Sequence, residues 1–190
     1  IIDIGIYSNF LLLNDKSIKN IQHDHIINIK NNITIIDSRI SNLKNIEIIG
    51  DNTFHKSSNL KFFYFKNLKH IGISAFNDCK NLIYFEAPEL FIINRNVFTT
   101  CIRLTTFIAP KLIQIDYCGF LNCTRLKQID LSRVLIIQDD VFSGCTGLTN
   151  INNLNEEIQE IGERAFHECI SLNLEMPNIN KLEIIKQRNN

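Results

Sequence analysis

The chain has 190 residues, with 20 basic and 20 acidic side chains and a formal net charge of zero. Its 45% of hydrophobic residues can fill a sizeable core, which excludes disorder as the main state. The charge balance argues against nucleic-acid binding or a polybasic membrane patch, since either needs surplus Lys and Arg. No run reaches the roughly 18 uninterrupted apolar residues that a membrane span needs, so no direct membrane insertion is expected.

The stretch from Ile1 to Leu13 comes nearest to such a run and is interrupted by Asp3 and Asn9. The chain begins at Ile1 and its single Met is Met176, which predicts an excised domain and leaves both the cell surface and the cytoplasm open as locations. Residues 1–45 hold Ile-rich segments such as Ile26-Ile27 and Ile33-Thr-Ile35-Ile36. They read either as degenerate repeats or as a cap over the end of a core. Ser38 to Asn45 reads as an irregular insertion. His23 and His25 flank Asp24, but no third ligand stands nearby, so solvated or capping roles are expected.

From residue 46 a repeat takes over. Phe54, Phe76, Phe98, Phe120 and Phe142 stand 22 residues apart, and Phe166 follows after 24. Three residues after each come Ser57, Cys79, Cys101, Cys123, Cys145 and Cys169, and three further on a Leu, from Leu60 to Leu172. Phe63, Phe85, Phe107, Ile129 and Ile151 form the next column, and Ile71, Ile93, Ile115, Ile137 and Ile161 close the cycle. A fixed period of this length marks a solenoid, in which each unit buries its apolar face only by stacking on its neighbours.

Within a unit, Phe85 and Ala87 alternate with Tyr84 and Glu86, the pattern of a short strand with one face inward. Pro88, Pro110 and Pro177 end such strands, because proline cannot donate to a ladder. The segment from Ile93 to Cys101 lacks alternation, and its apolar spacing predicts a helical or 3₁₀ turn on the return side. At the far end Pro177, Ile179 and Leu182 match Pro88, Leu90 and Ile93, so a half repeat is expected there.

Segments such as Ile71-Gly-Ile-Ser-Ala-Phe76-Asn-Asp-Cys79-Lys-Asn-Leu82 and Ile161-Gly-Glu-Arg-Ala-Phe166-His-Glu-Cys169 resemble the BspA-type leucine-rich repeat. The resemblance covers roughly residues 46–185. It implies an α/β repeat solenoid, right-handed, with one short parallel strand per coil lining one face and helical or 3₁₀ pieces on the return side. The expected organisation is one continuous solenoid domain over 46–190 behind the region 1–45. The family is common in surface and adhesion proteins, and no catalytic residues come with it. Ser57 in place of Cys and the two-residue insertion near Asn155-Glu156-Glu157 depart from the pattern.

The five cysteines that share one column read as a buried ladder of small apolar side chains. Stacked strands are close enough for bridging, but side chains that point in parallel are poorly placed for it. Cys118 falls in the polar column of Ser74, Asn96, Asp140 and Arg164 and is expected to be an exposed thiol. No phosphate-binding loop, dinucleotide fingerprint, nucleophile elbow or zinc knuckle is present, so no cofactor, metal or enzyme activity is expected. Asn32-Ile-Thr34 and Asn122-Cys-Thr124 match the glycosylation sequon, a weak sign of secretion in an Asn-rich chain.

Two outward rows remain. The first runs along the strands through Phe62 and Tyr64, Tyr84 and Glu86, Thr106 and Ile108, then Gln128 and Asp130. It reads as a partner-binding face with aromatic anchors, or as residues that merely favour a sheet. The second holds Phe91, Ile113 and Leu135, which either pack under the returning segment or form a self-association surface. The expected function is a non-catalytic protein-interaction or adhesion module that meets a protein partner. The alternative is a structural spacer within a larger surface protein.

Overall fold

The computed structural model describes residues 4–7, 10–13, 20–21, 35–37, 43 and 45–172. His23, His25, Asn32 and the half repeat around Pro177, Ile179 and Leu182 lie outside them. Among the described residues fifteen short strands succeed one another: β1 (Ile4–Tyr7), β2 (Phe10–Leu13), β3 (Asn20–Ile21), β4 (Ile35–Asp37), β5 (Ile48–Ile49), β6 (Phe62–Tyr64), β7 (His70–Ile71), β8 (Tyr84–Glu86), β9 (Ile92–Ile93), β10 (Thr106–Ile108), β11 (Gln114–Ile115), β12 (Gln128–Asp130), β13 (Ile136–Ile137), β14 (Asn150–Asn152) and β15 (Glu160–Ile161). β1 and β2 pair antiparallel, and the other pairings among these strands are parallel. The result is a parallel-strand solenoid of about five coils.

Each coil carries two strands, where the sequence pattern predicts one. Three-residue strands stack as β4-β6-β8-β10 and β12-β14, and two-residue strands stack as β3-β5-β7 and β9-β11-β13-β15. The first kind buries its central residue, as Phe85 does between Tyr84 and Glu86. The second buries only its last, as Ile93 does after Ile92. Pro88 and Pro110 follow the first strand within two residues of its end, as expected.

The third side holds no helix among the described residues, which corrects the expected helical return. It is a run of tight turns whose peptides alternate in direction. The N–H groups of Ser74, Phe76 and Asp78 donate to the carbonyls of Arg95, Val97 and Thr99 in the next coil, at 3.0, 3.1 and 2.9 Å. Those of Ala75, Asn77 and Cys79 donate instead three residues back, to Gly72, Ser74 and Phe76. A helix would keep every N–H for its own segment. Here half of them serve the neighbouring coil.

That alternation is set by left-handed residues two before and two after each core Phe: Ser74 and Asp78, Asn96 and Thr100, Cys118 and Asn122, all with φ between 55° and 60°. Asn, Asp and Gly tolerate this region, which explains why these columns are polar in the sequence. Thr100, being β-branched, sits there under strain.

The core is a zipper of rings. Phe54, Phe76, Phe98, Phe120, Phe142 and Phe166 stack on one another with centroids 5.2–5.5 Å apart and interplanar angles of 10–21°. Phe63, Phe85 and Phe107 form a second stack at 4.9 and 5.4 Å. Edge contacts knit the two, for example Phe85 to Phe98 at 4.7 Å. Edge-to-face and offset-stacked pairs suit the ring quadrupole and add about 0.5–1.5 kcal/mol each beyond burial.

Cys79, Cys101, Cys123 and Cys145 are fully buried beside this zipper, and Cys169 is half-buried in the last coil. Each thiol donates to the carbonyl of the Phe 25 or 27 residues earlier, at 2.9–3.2 Å. The column therefore does more than fill space, because it ties each coil to the one before. Ser57 begins the column, and its Oγ has no hydrogen-bond partner among the described residues.

Burial pushes the Cys101, Cys123 and Cys145 thiols far up, and Cys169 up to about 12. Thiolate is the reactive form, so these groups are inert near neutral pH. Cys118 is half-buried rather than exposed, and burial first, then the Asp140 carboxylate, raises its thiol as well. Native-state alkylation near pH 8 is expected to label Cys118 first and slowly. Labelling of Cys79, Cys101, Cys123 and Cys145 should require unfolding. Their modification at the rate of Cys118, followed by intact mass, would contradict the buried ladder.

One junction departs from the regular stack. β10 and β12 lie side by side but share no ladder hydrogen bond, while β11–β13 and the turn side stay joined across the same two coils. The Phe63–Phe85–Phe107 column changes there to Ile129, and Ala109 is followed by Leu131. These changes of side-chain size meet where the strands part.

Candidate protein-binding surface

The three-residue strands bring the first predicted row together on one face. Register places Phe62, Tyr84 and Thr106 side by side, with Tyr64, Glu86 and Ile108 as a parallel column two residues along. Phe62 and Ile108 are 42% and 39% exposed, which makes them true surface groups despite their apolar chemistry. Tyr64, Tyr84, Glu86 and Thr106 are half-buried, and Gln128 and Asp130 are exposed.

The Tyr84 hydroxyl donates to the Glu86 carboxylate. Both partners belong to β8, so the bond is made within one strand. Asp130 Oδ1 accepts from the Ser132 N–H at 2.9 Å, which fixes that carboxylate. Gln128 and Asp130 are separated from the aromatic part of the row by the open junction. A cleft of about 190 Å³ lies in it, lined by Phe107, Ile108, Ala109 and Pro110 on one side and by Gln128, Ile129 and Asp130 on the other. Sequence periodicity could not show this cleft, because the columns run through it unbroken.

The second row also faces outward. Phe91 and Ile113 are 37% and 36% exposed and Leu135 is half-buried, so the row does not pack under a returning segment. Each precedes a two-residue strand, and Tyr117, exposed, follows one.

Among the described residues, no group of three His, Cys, Asp or Glu is placed to hold a metal ion. No helix among them is long and apolar enough to cross a membrane.

Stacked coils of about 22 residues, each contributing short parallel strands to a continuous sheet, define a leucine-rich-repeat solenoid. The model of the BspA type leucine rich repeat region matches six copies, over residues 1–91, 31–133 and 69–188, and the chain belongs to that family. A search of the curated proteins found no match. Among solved structures, a leucine-rich repeat protein from Bacteroides ovatus is 27% identical with a TM-score of 0.60, over 75% of this chain and 40% of that one. The chain thus spans well under half the length of that protein. A leucine rich repeat protein from T. pallidum shares the fold at 19% identity and a TM-score of 0.57, over 97% and 92% of the two chains. A leucine rich cell surface protein from Faecalibacterium prausnitzii does so at 20% and 0.53, over 80% and 46%. The family points to a protein-interaction or surface module.

Proposed function

We propose that the chain is a non-catalytic recognition or adhesion module at the cell surface, and that the three-residue strand face holds its protein partner. The carrying observation is the group of Phe62, Tyr64 and Tyr84 in adjacent coils, aromatic groups held on a rigid parallel sheet, with Tyr84 hydrogen-bonded to Glu86. Aromatic side chains with few rotatable bonds make strong interface centres when polar groups surround them. Glu86, Thr106, Gln128 and Asp130 supply that polar surround, and Ile108 extends the apolar area. The F. prausnitzii protein, a cell surface protein by name, supports the location.

The test is capture of surface-protein extracts on the immobilised domain, compared with two variants. Tyr84→Ala is expected to weaken retention of a bound protein by about 2 kcal/mol or more, roughly thirtyfold. Asn150→Ala, farther along the same face, is expected to cost under about 1 kcal/mol. Equal losses from the two would remove the aromatic anchor from the reading.

A further inference from the structure

A second face, separate from the one assigned to a partner, has the symmetry of a self-docking surface. Five consecutive coils present the segments Lys69–Ile73, Phe91–Arg95, Ile113–Tyr117, Leu135–Asp139 and Gln159–Glu163 side by side, with β7, β9, β11, β13 and β15 at their centres. At about 4.8 Å per coil this face is about 20 Å long. Its middle is mostly apolar: Phe91, Ile113 and Tyr117 are exposed, and Ile92, Leu135 and Ile136 are half-buried, with Gln114 and Asp116 half-buried among them. Its two ends differ in charge. The first two segments carry Lys69 and Arg95 and no acidic residue, while the last two carry Asp139, Glu160 and Glu163 and no basic residue.

We propose that two copies of this chain dock through this face, related by a two-fold axis that lies in the interface and runs along β11. That operation keeps each residue's place along its strand and reverses the order of the coils. Ile113 and Tyr117 then meet their own copies on the axis, Phe91 meets Leu135, and Ile92 meets Ile136. Charged positions off the axis become largely complementary under the same operation. Arg95 falls opposite Asp139 and Glu89 opposite Arg133, and the His70 imidazole stands opposite the Glu160 carboxylate as a hydrogen-bond partner. Lys111 and Asp116 each meet their own copies, but Lys111 is already neutralised by Glu89 of its own chain at 2.6 Å, and Asp116 already accepts from Gln114 Nε2 of its own chain at 2.7 Å. An arrangement with the coils in the same order needs an axis along the solenoid, which reverses each strand and sets Arg95 against Phe91 and Asp139 against Leu135, so its charges meet apolar side chains. Charge complementarity therefore selects both the occupant, a second copy, and its direction. An isologous contact of this kind closes at two chains and leaves the strand face around Tyr84 open. It stands whether or not that face binds a partner.

Sedimentation velocity from about 1 to 200 µM tests this, since a small, partly polar interface is expected in the micromolar range. The sedimenting species should shift from one chain to two as concentration rises. Ile113→Asp, which sets two carboxylates against each other on the axis, should weaken dimerisation at least about tenfold. Arg95→Asp and Asp139→Arg should each weaken it about fivefold or more, and the double variant should recover most of the loss. Asp139 also accepts from the Glu163 N–H at 2.8 Å, so a thermal melt of each variant checks that its fold is intact. A single-chain species at 200 µM, a dimer indifferent to Ile113→Asp, or a folded double variant without recovery would each overturn the proposal.

Discussion

Phe98→Ala is expected to cost about 3–5 kcal/mol of folding stability, read as a large drop in the midpoint of thermal or denaturant unfolding. Phe98 is fully buried. Its ring stacks on Phe76 at 5.5 Å and Phe120 at 5.2 Å, and meets the edges of Phe85 and Phe107 at 4.7 and 5.5 Å. Truncation removes the transfer energy of a whole ring and opens a cavity between coils that are pinned on their turn side by backbone hydrogen bonds and cannot close it. A domain's net stability is about 5–15 kcal/mol, so this single change takes a large share of it. Phe166→Ala should cost less, because that ring, stacked on Phe142, lies in the last coil of the described stack and is slightly exposed where Phe98 is fully buried. An unfolding midpoint that Phe98→Ala leaves unchanged would contradict the zipper.

Gly72→Val is expected to cost about 3 kcal/mol, the upper part of the range for overpacking, because the obstructing atoms are largely backbone. A Cβ at Gly72 would overlap the backbone nitrogen and Oδ1 of Asp51 in the coil before. That carboxylate occupies the space a side chain would need, and it accepts the N–H of Ile73 at 2.7 Å. Gly162 stands in the same relation to Asp139, whose Oδ1 accepts the N–H of Glu163 at 2.8 Å. Gly is needed at these two places for close approach, since neither has a left-handed φ. Asp51→Ala should lose the hydrogen bond and free part of the space, so the cost of Gly72→Val should be smaller in the double variant than the single costs imply. Strict additivity, measured in denaturant, would count against the coupling.

The Asp–Gly coupling was present in the sequence as a rule that the columns conceal. Where the earlier coil offers Asp51 or Asp139, the next offers Gly72 or Gly162. Where it offers Ile73, Arg95 or Tyr117, the next offers Asn94, Asp116 or Gln138. A column-by-column reading treats these positions as variable and misses that they vary together. The core was far more legible. Phe, Cys and Leu recur at one phase because each needs its like above and below, and burial at Phe76, Cys101 and Leu126 follows directly.

The second strand of each coil was hidden by its length, since two residues such as His70 and Ile71 are too few to show alternation. The turn side misled for another reason. Spacings of three residues between buried positions suit a helical turn, but they suit successive tight turns equally well. What separates the two is the left-handed backbone at residues such as Ser74 and Asp78. On the candidate surface, the alternation placed Phe62 and Ile108 outside correctly. It did not reveal that Tyr84 and Glu86 bond to each other, which is a matter of rotamers.

The parted strands β10 and β12 divide the array into unequal blocks. In a linear repeat, cooperativity is the sum of contacts between nearest neighbours, so an interruption at one interface weakens the transmission of order past it. The block before the junction holds both phenylalanine stacks. The block after it keeps one stack and fills the other column with Ile129 and Ile151. Under heat or denaturant the later coils should therefore melt as a unit ahead of the earlier ones, with the boundary at the parted strands. The same boundary is a flexure point, where the solenoid can bend on its still-joined sides without breaking a ladder.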